Sequence, residues 1–298
     1  MAGSSDRRSA TNRQKAEVVR SLEHQFEVKA LCEFLGLAAS TYYYHRSAPA
    51  RPDKYAHVRP VLREVFDRSY RSYGYRRVRI VLARKHGMHL SGKTVLRLMG
   101  EEHRQCQVRR RKYRSYRGQQ GRVAPNILAR NFTTTAVEQK WVTDVTEFTI
   151  NGAKLYLSPV IDLFNHEVIS YGLQPSPTLP LITDMLTKAS QRLSAGHGLV
   201  LHSDQGWHYQ HWSYRQQLKT LGITQSMSRK GNCLDNALAE NFFGHFKEEF
   251  LRQHQFTSTG HFTGELAKYI HWWNNERIQE RLKGLSPVDY RTQSLQLA

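Results

Sequence analysis

Cysteine is scarce in this 298-residue chain: Cys32, Cys106 and Cys233 lie far apart and form no Cys-x-x-Cys pair. That excludes a disulfide framework and a cysteine-built zinc site, and it fits a reducing compartment. The 15 histidines are scattered, and no His pair stands at ligand spacing beside a Cys pair, so a structural zinc is not expected. Long apolar runs are missing too. LYLSPVIDLF is broken by Ser, Pro and Asp well short of a membrane span. The opening MAGSSDRRSATNRQK has no apolar core of the kind a secretory signal needs. A cytoplasmic protein with no membrane partner is the expectation.

Acid is what the first part of the chain lacks most. Residues 1–130 carry 29 Lys and Arg against 10 Asp and Glu, whereas residues 131–298 carry 15 of each. The whole net charge of +19 therefore sits in the first 130 residues. A solvated surface usually mixes both signs, so this half points to a polyanion, nucleic acid first. An anionic membrane surface or a basic tail are the blander readings. Hydrophobic content of 39% is ample for a packed core, and the length suits two domains with a small third.

Residues 1–50 read as a helix-turn-helix-like segment. AEVVRSLEHQ and VKALCEFLGL show helical spacing, Gly36 turns the chain and Ser40 offers an N-cap before TYYYHR. After the Pro-rich linker SAPARPDKYA, residues 55–103 repeat the theme. Ser91 caps GKTVLRLMGEE, a helix that carries Lys93 and Arg97 toward a DNA groove. The alternative is a plain three-helix bundle with a basic face. Residues 104–135 form a linker whose stretch RQCQVRRRKYRSYRGQQGR holds eight Lys/Arg and no acid. Arg109, Arg110, Arg111 and Lys112, with Tyr113 and Tyr116 interleaved, are expected to track phosphates.

From 136 the pattern changes. KWVTDVTEFTI, LYLSPVIDLF and HEVISYGLQ are strand-like, and helices then alternate with the strands GLVLHSD and ITQSMS. This order predicts an α/β fold: an RNase-H-like mixed five-stranded sheet flanked by helices over residues 136–255, preceded by small all-α units. Residues 256–298 add a C-terminal helical extension.

Three acids in this core stand out. Asp144 stands inside the first strand, Asp204 ends the fourth, and Glu240 lies in the helix NALAENFFGHFKEE. The gaps between them are 59 and 35 residues. Adjacent strands one and four would bring the aspartates together, and the helix after strand five would deliver Glu240. Three carboxylates that close need compensation, which hard divalent cations supply. Mg²⁺ is the default, Mn²⁺ the alternative, and two ions suit in-line phosphoryl displacement. Glu147 should face the opposite side of the sheet, Asp162 reads as a strand-ending acid, and Asp235 and Asn236 read as the cap of the Glu240 helix.

WVTDVTEF, VLHSDQGWHY, SMSRKGNCLDNALAENFFGHFKEE and RLKGLSPVDYR together resemble the second-frame catalytic chain of bacterial insertion-sequence transposases of the two-overlapping-frame type. These are D-D-E enzymes related to retroviral integrases. The resemblance runs from about residue 55 to 291. It implies Asp144, Asp204 and Glu240 as catalytic residues and metal ligands. A basic residue seven positions after the glutamate, here Lys247, is implied to hold the DNA end, and Arg229 and Lys230 are further DNA candidates. It also implies DNA as partner (terminal inverted repeats and target), a dimer or higher assembly on DNA, a nucleoid-associated location and a first-frame partner protein. Where many relatives show tyrosine before the asparagine of the C-terminal motif, this chain has Trp273. The His-His-Cys-Cys module of retroviral integrases is missing, and residues 1–50 hold no sustained heptads. The expected activity is metal-dependent strand cleavage and strand transfer. The rivals are a nuclease of the same fold that does not join, and a non-catalytic DNA-binding regulator.

Overall fold

The computed structural model describes residues 10–47, 52–106, 124–129, 131–229 and 237–296. It divides into two compact units, residues 1–57 and 58–298. The first contains helices α1 (Asn12–Leu22), α2 (Val28–Phe34) and α3 (Ala39–Ser47). Thr11 and Gln14 close a capping box at the start of α1. Ala16, Val19, Cys32, Leu37 and Tyr42 make a small core. Gly36 takes φ +59° in the turn between α2 and α3, a conformation glycine adopts without penalty. Ser40 lies inside α3 rather than capping it, because the helix already begins at Ala39.

The second unit opens with α4 (Val58–Arg68), α5 (Tyr75–His86) and α6 (Gly92–Glu101). Ser91 caps α6 as expected, its Oγ accepting the Thr94 N–H at 3.1 Å. Gly87 ends α5 in the left-handed region. The segment after α4 is locked onto the rest of the unit by aromatic contacts. Tyr70 takes φ +52° and sets its ring 4.7 Å from that of Trp272. The Tyr73 hydroxyl accepts the Ile278 N–H at 2.9 Å.

The sheet contains β1 (Lys140–Thr143), β2 (Thr146–Ile150), β3 (Ala153–Asp162), β4 (Val168–Gln174), β5 (Val200–Ser203) and β6 (Thr224–Met227). Between them run α7 (Leu179–Ser190), the short α8 (Trp207–Gln210) and α9 (Trp212–Thr220). β3 pairs antiparallel with β1, β2 and β4, while β5 pairs parallel with β1 and β6. Five strands were expected and the sheet has six. The difference has one cause: the first strand is interrupted at Asp144 and Val145. β1 and β2 share one register against β3, and that register sets Asp144 opposite Pro159. Proline has no N–H to give to a ladder, so the pairing lapses where the acid stands.

One face of the sheet packs on α7 and α9 through Trp141, Leu181, Met185, Leu201, Tyr214 and Leu218. Beyond β6 follows α10 (Ala237–His245), which continues without a break as a π-helix over Phe246–Leu251. α11 (Thr259–Asn275) and α12 (Pro287–Gln296) end the described chain. Phe148 of β2 packs on Phe246 and Phe262, with ring centroids 5.7 and 5.1 Å apart, so the π-helix and α11 are seated on the strand that follows Asp144. Each such ring contributes roughly 1.5–3 kcal/mol by burial. The Asn274 side chain accepts the Val168 N–H and donates to the Val168 carbonyl, both at 2.9 Å, clasping α11 to β4. Trp273 donates its indole N–H to the His166 carbonyl at 3.0 Å, so the ring change in this motif keeps a polar anchor. Among the described residues no helix is long and apolar enough to cross a membrane.

Candidate active site

β1 and β5 pair in parallel with Lys140 beside Val200, Trp141 beside Leu201 and Val142 beside His202. The same register carried two residues further sets Asp144 beside Asp204. Both are half-buried. Burial, then the neighbouring Asp204 charge, pushes the Asp144 carboxyl well above the ordinary aspartate range, and the Glu240 charge adds to the rise. Burial raises the Asp204 carboxyl as well. Lys247 works the other way on Asp144, its ammonium favouring the charged form. The structure therefore brings Asp144, Asp204, Glu240 and Lys247 into one electrostatic neighbourhood.

Each aspartate is held by one local N–H. Asp144 Oδ1 accepts from Val145 at 2.8 Å, and Asp204 Oδ1 accepts from Gly206 at 2.9 Å. The second oxygen of each makes no hydrogen bond among the described residues. Gly206 matters by what it lacks: a Cβ there would meet Asp204 Oδ1 at 3.0 Å. Glu240 lies in the first turn of α10, on a stripe whose members Asn241, Gly244 and Lys247 are exposed.

As a donor set, three carboxylates are hard oxygen ligands whose mutual repulsion a divalent cation would relieve. The chemistry of the set fits such an ion. The geometry is looser than a closed ligand shell. Among the described residues no three His, Cys, Asp or Glu side chains are gathered closely enough to hold one.

Two neighbours escaped the sequence reading. His208, on α8, donates Nε2–H to the Pro177 carbonyl at 2.9 Å, so its buried Nδ1 is left as an acceptor without a partner. Burial lowers its pKa although the Asp204 charge favours protonation. Tyr209, buried beneath the acids, has its hydroxyl pushed up by burial and by both aspartates, so it stays protonated. The signal for His208 was its place shortly after Asp204, and it was visible only once α8 was known to form.

The other acids have structural partners. Glu147 faces away and binds Lys154 at 2.9 Å and the Tyr156 hydroxyl at 2.6 Å. Asp162 is buried and accepts N–H groups from Glu138, Phe164 and the Trp141 indole. Among the DNA candidates, Lys93 is exposed on α6, and Arg97 is exposed but pairs with Glu101 at 2.5 Å. Arg229 is exposed just after β6. Arg109, Arg110, Arg111, Lys112 and Lys230, together with Tyr113, Tyr116, Asp235 and Asn236, lie outside the described residues.

Known proteins resemble the chain over most of its length. Integrase core domain models match residues 134–233 and 240–295, and an HTH-like domain model matches residues 55–112. The chain is 45% identical to the putative transposase InsK for insertion sequence element IS150 of Escherichia coli, over 93% of this chain and 98% of that protein. It is 40% identical to the probable transposase for IS1353 of Shigella flexneri, over 94% of this chain and 55% of that protein. It is 31% identical to the transposase InsF for IS3A of Escherichia coli, over 91% and 96%. With an integrase core whose sheet carries paired aspartates, and an HTH-like domain ahead of it, the chain belongs to the IS3-type insertion-sequence transposases.

Proposed function

We propose that this transposase cuts DNA at the terminal inverted repeats of its own element and joins the exposed 3′-hydroxyl to target DNA. Asp144, Asp204 and Glu240 are the catalytic residues and hold two divalent cations, Mg²⁺ before Mn²⁺. The observation that carries the reading is the parallel β1–β5 register, which draws Asp144 and Asp204 together across 59 intervening residues. Divalent cations held there would supply the charge that activates an attacking oxygen and stabilises the leaving one in a phosphoryl displacement.

The chain's own residues supply position. Val145 and Gly206 fix one oxygen of each aspartate, leaving the other for a cation. Lys247, exposed on the Glu240 stripe, holds a phosphate of the DNA end near the acids. Tyr209 keeps its proton and adds no charge to the site. Neutral His208 offers Nδ1 to a donor beside Asp204. The HTH-like domain and the N-terminal unit recognise the repeats, and two ends are synapsed by a dimer or higher assembly, with a first-frame protein as a further partner.

A labelled duplex bearing the element's end, incubated with Mg²⁺ or Mn²⁺, tests this by comparing the native chain with Glu240→Gln. Native cleavage and joining, both reduced by about 10²–10³-fold or more in the variant while binding survives, is the expected result. Cleavage without joining would favour a nuclease. Binding without metal-dependent chemistry in either protein would favour a regulator.

A further inference from the structure

A cleft of about 500 Å³ opens where α5, α6 and the turn at residues 280–284 meet. Arg76, Arg79, Lys93 and Lys283 line it, with Glu280 as the one acid on its rim. All four cations are exposed, and none has an acid within ion-pair distance among the described residues. The contrast with their surroundings is sharp. Arg59, Arg63, Arg68, Arg71, Arg97 and Arg104, on and around the same helices, are each paired with a carboxylate. Three exposed cations of this module without a carboxylate partner thus meet Lys283 in one concavity, where like charges repel and an anion relieves them.

The cleft is built rather than incidental. Lys283 stands in the left-handed region at φ +55°, followed by Gly284 at φ +73°. A Cβ on Gly284 would meet Ile80 Cγ2 at 3.1 Å, so only glycine lets the turn press on α5 this closely. Arg84 clamps the turn by donating to the Lys283 and Gly284 carbonyls, both at 2.8 Å. On the opposite wall, the missing side chain of Gly92 admits the Tyr75 ring, which a Cβ would approach to 3.1 Å. Tyr75 and the exposed Leu96 give the cleft an apolar floor suited to sugar contacts.

We infer that this cleft binds backbone phosphates of the DNA on which the HTH-like domain sits, which makes the C-terminal turn at 280–284 a second arm of the DNA-binding surface. The inference rests on the reading of the chain as a DNA-binding transposase. Cations spread over three elements suit a repeating polyanion better than a single small anion. The turn, far away in sequence from residues 55–112, thereby ties end recognition to the catalytic half of the chain.

The test uses the full chain, a duplex bearing the element's end and a shuffled duplex of equal length, with affinity measured across a range of salt. Lys283→Asn removes the charge while keeping a residue that tolerates the left-handed backbone. Arg79→Gln changes an exposed α5 position that leaves the turn's clamp intact. Each variant is expected to bind both duplexes several-fold more weakly, and the slope of log affinity against log salt should flatten by about 0.9 per lost phosphate contact. Lys283→Arg should restore the slope. If the native chain binds DNA and both neutral variants keep its slope, the inference fails and the transposase reading stands. Weakening confined to the end-bearing duplex would mean base readout and would also overturn it. A native chain that binds neither duplex overturns both readings together.

Discussion

Arg277 and Glu249 meet inside the protein as a two-pronged ion pair, Nε to Oε2 at 2.8 Å and Nη2 to Oε1 at 2.7 Å. The two side chains are 2% and 1% exposed. Glu249 belongs to the π-helix that extends α10, and Arg277 follows α11 with its guanidinium 4.3 Å above the Trp273 ring. The pair therefore fastens the helix bearing Glu240 to the C-terminal helices. Burial alone would raise the Glu249 carboxyl, but the Arg277 charge and hydrogen bonds outweigh it and hold the carboxyl down at about 2.

Removing one partner of such a pair strands a buried charge. Arg277→Met should lower stability by about 3–5 kcal/mol. The contribution of Glu249 is present above its ordinary value of 4.5 and is lost as pH falls through about 2. The variant's deficit should therefore be full above 4.5 and shrink as pH falls toward 2, where the native chain loses the same contribution. Equal denaturant midpoints for the two proteins would contradict this account.

The acid site predicts the opposite sign. Burial and Asp204 raise the Asp144 carboxyl, so the native state holds a proton that the unfolded chain releases near 3.8. That stabilisation is full below 3.8 and is lost as pH rises through the raised value. In chelator, the native chain should melt progressively lower as pH rises toward neutrality. Asp144→Asn should flatten this trend and be the more stable protein at neutral pH, by roughly 1.4 kcal/mol per unit of pKa rise. Added Mg²⁺ should reverse the order by stabilising the native chain alone. Melting curves that do not depend on pH in chelator would refute it.

Gly206→Ala isolates geometry from charge. Gly206 has φ −55°, which alanine adopts freely, so the added methyl acts through its 3.0 Å approach to Asp204 Oδ1. Displacing a catalytic group by about 1 Å can lower the rate about 10²-fold. The contact asks Asp204 to give by only a few tenths of an ångström, so strand cleavage should fall by less than that, roughly several-fold, while the melting temperature and DNA affinity hold. Native-level cleavage would show that Asp204 can yield without loss.

The parts legible in the sequence were those governed by local rules. Strand-like runs, the Ser91 cap and the spacing of Asp144, Asp204 and Glu240 all rest on nearby residues or on a family pattern. What escaped rests on pairing across the chain. The lapse at Asp144 depends on Pro159 lying opposite, and the role of Arg277 depends on a π-turn that swings Glu249 inward. Lys283 carries no local signal, and only the fold sets it beside α5 and α6. Ser40 was misplaced by a short shift of a helix start, where a serine reads as a cap but sits equally well within the first turn.

The parallel β1–β5 register also says which lengths in this chain are negotiable. Between the two aspartates the chain passes through α7 and a turn in which Gly196 and Gly198 take positive φ, and nothing there measures distance for the site. An insertion in that turn would change the count of residues and leave Asp144 beside Asp204. A single residue slipped into β5 would turn Asp204 to the other face of the sheet, because successive strand side chains alternate. The 59-residue count between the aspartates is thus a loose ruler laid over a rigid one, and only the rigid one is read by the chemistry.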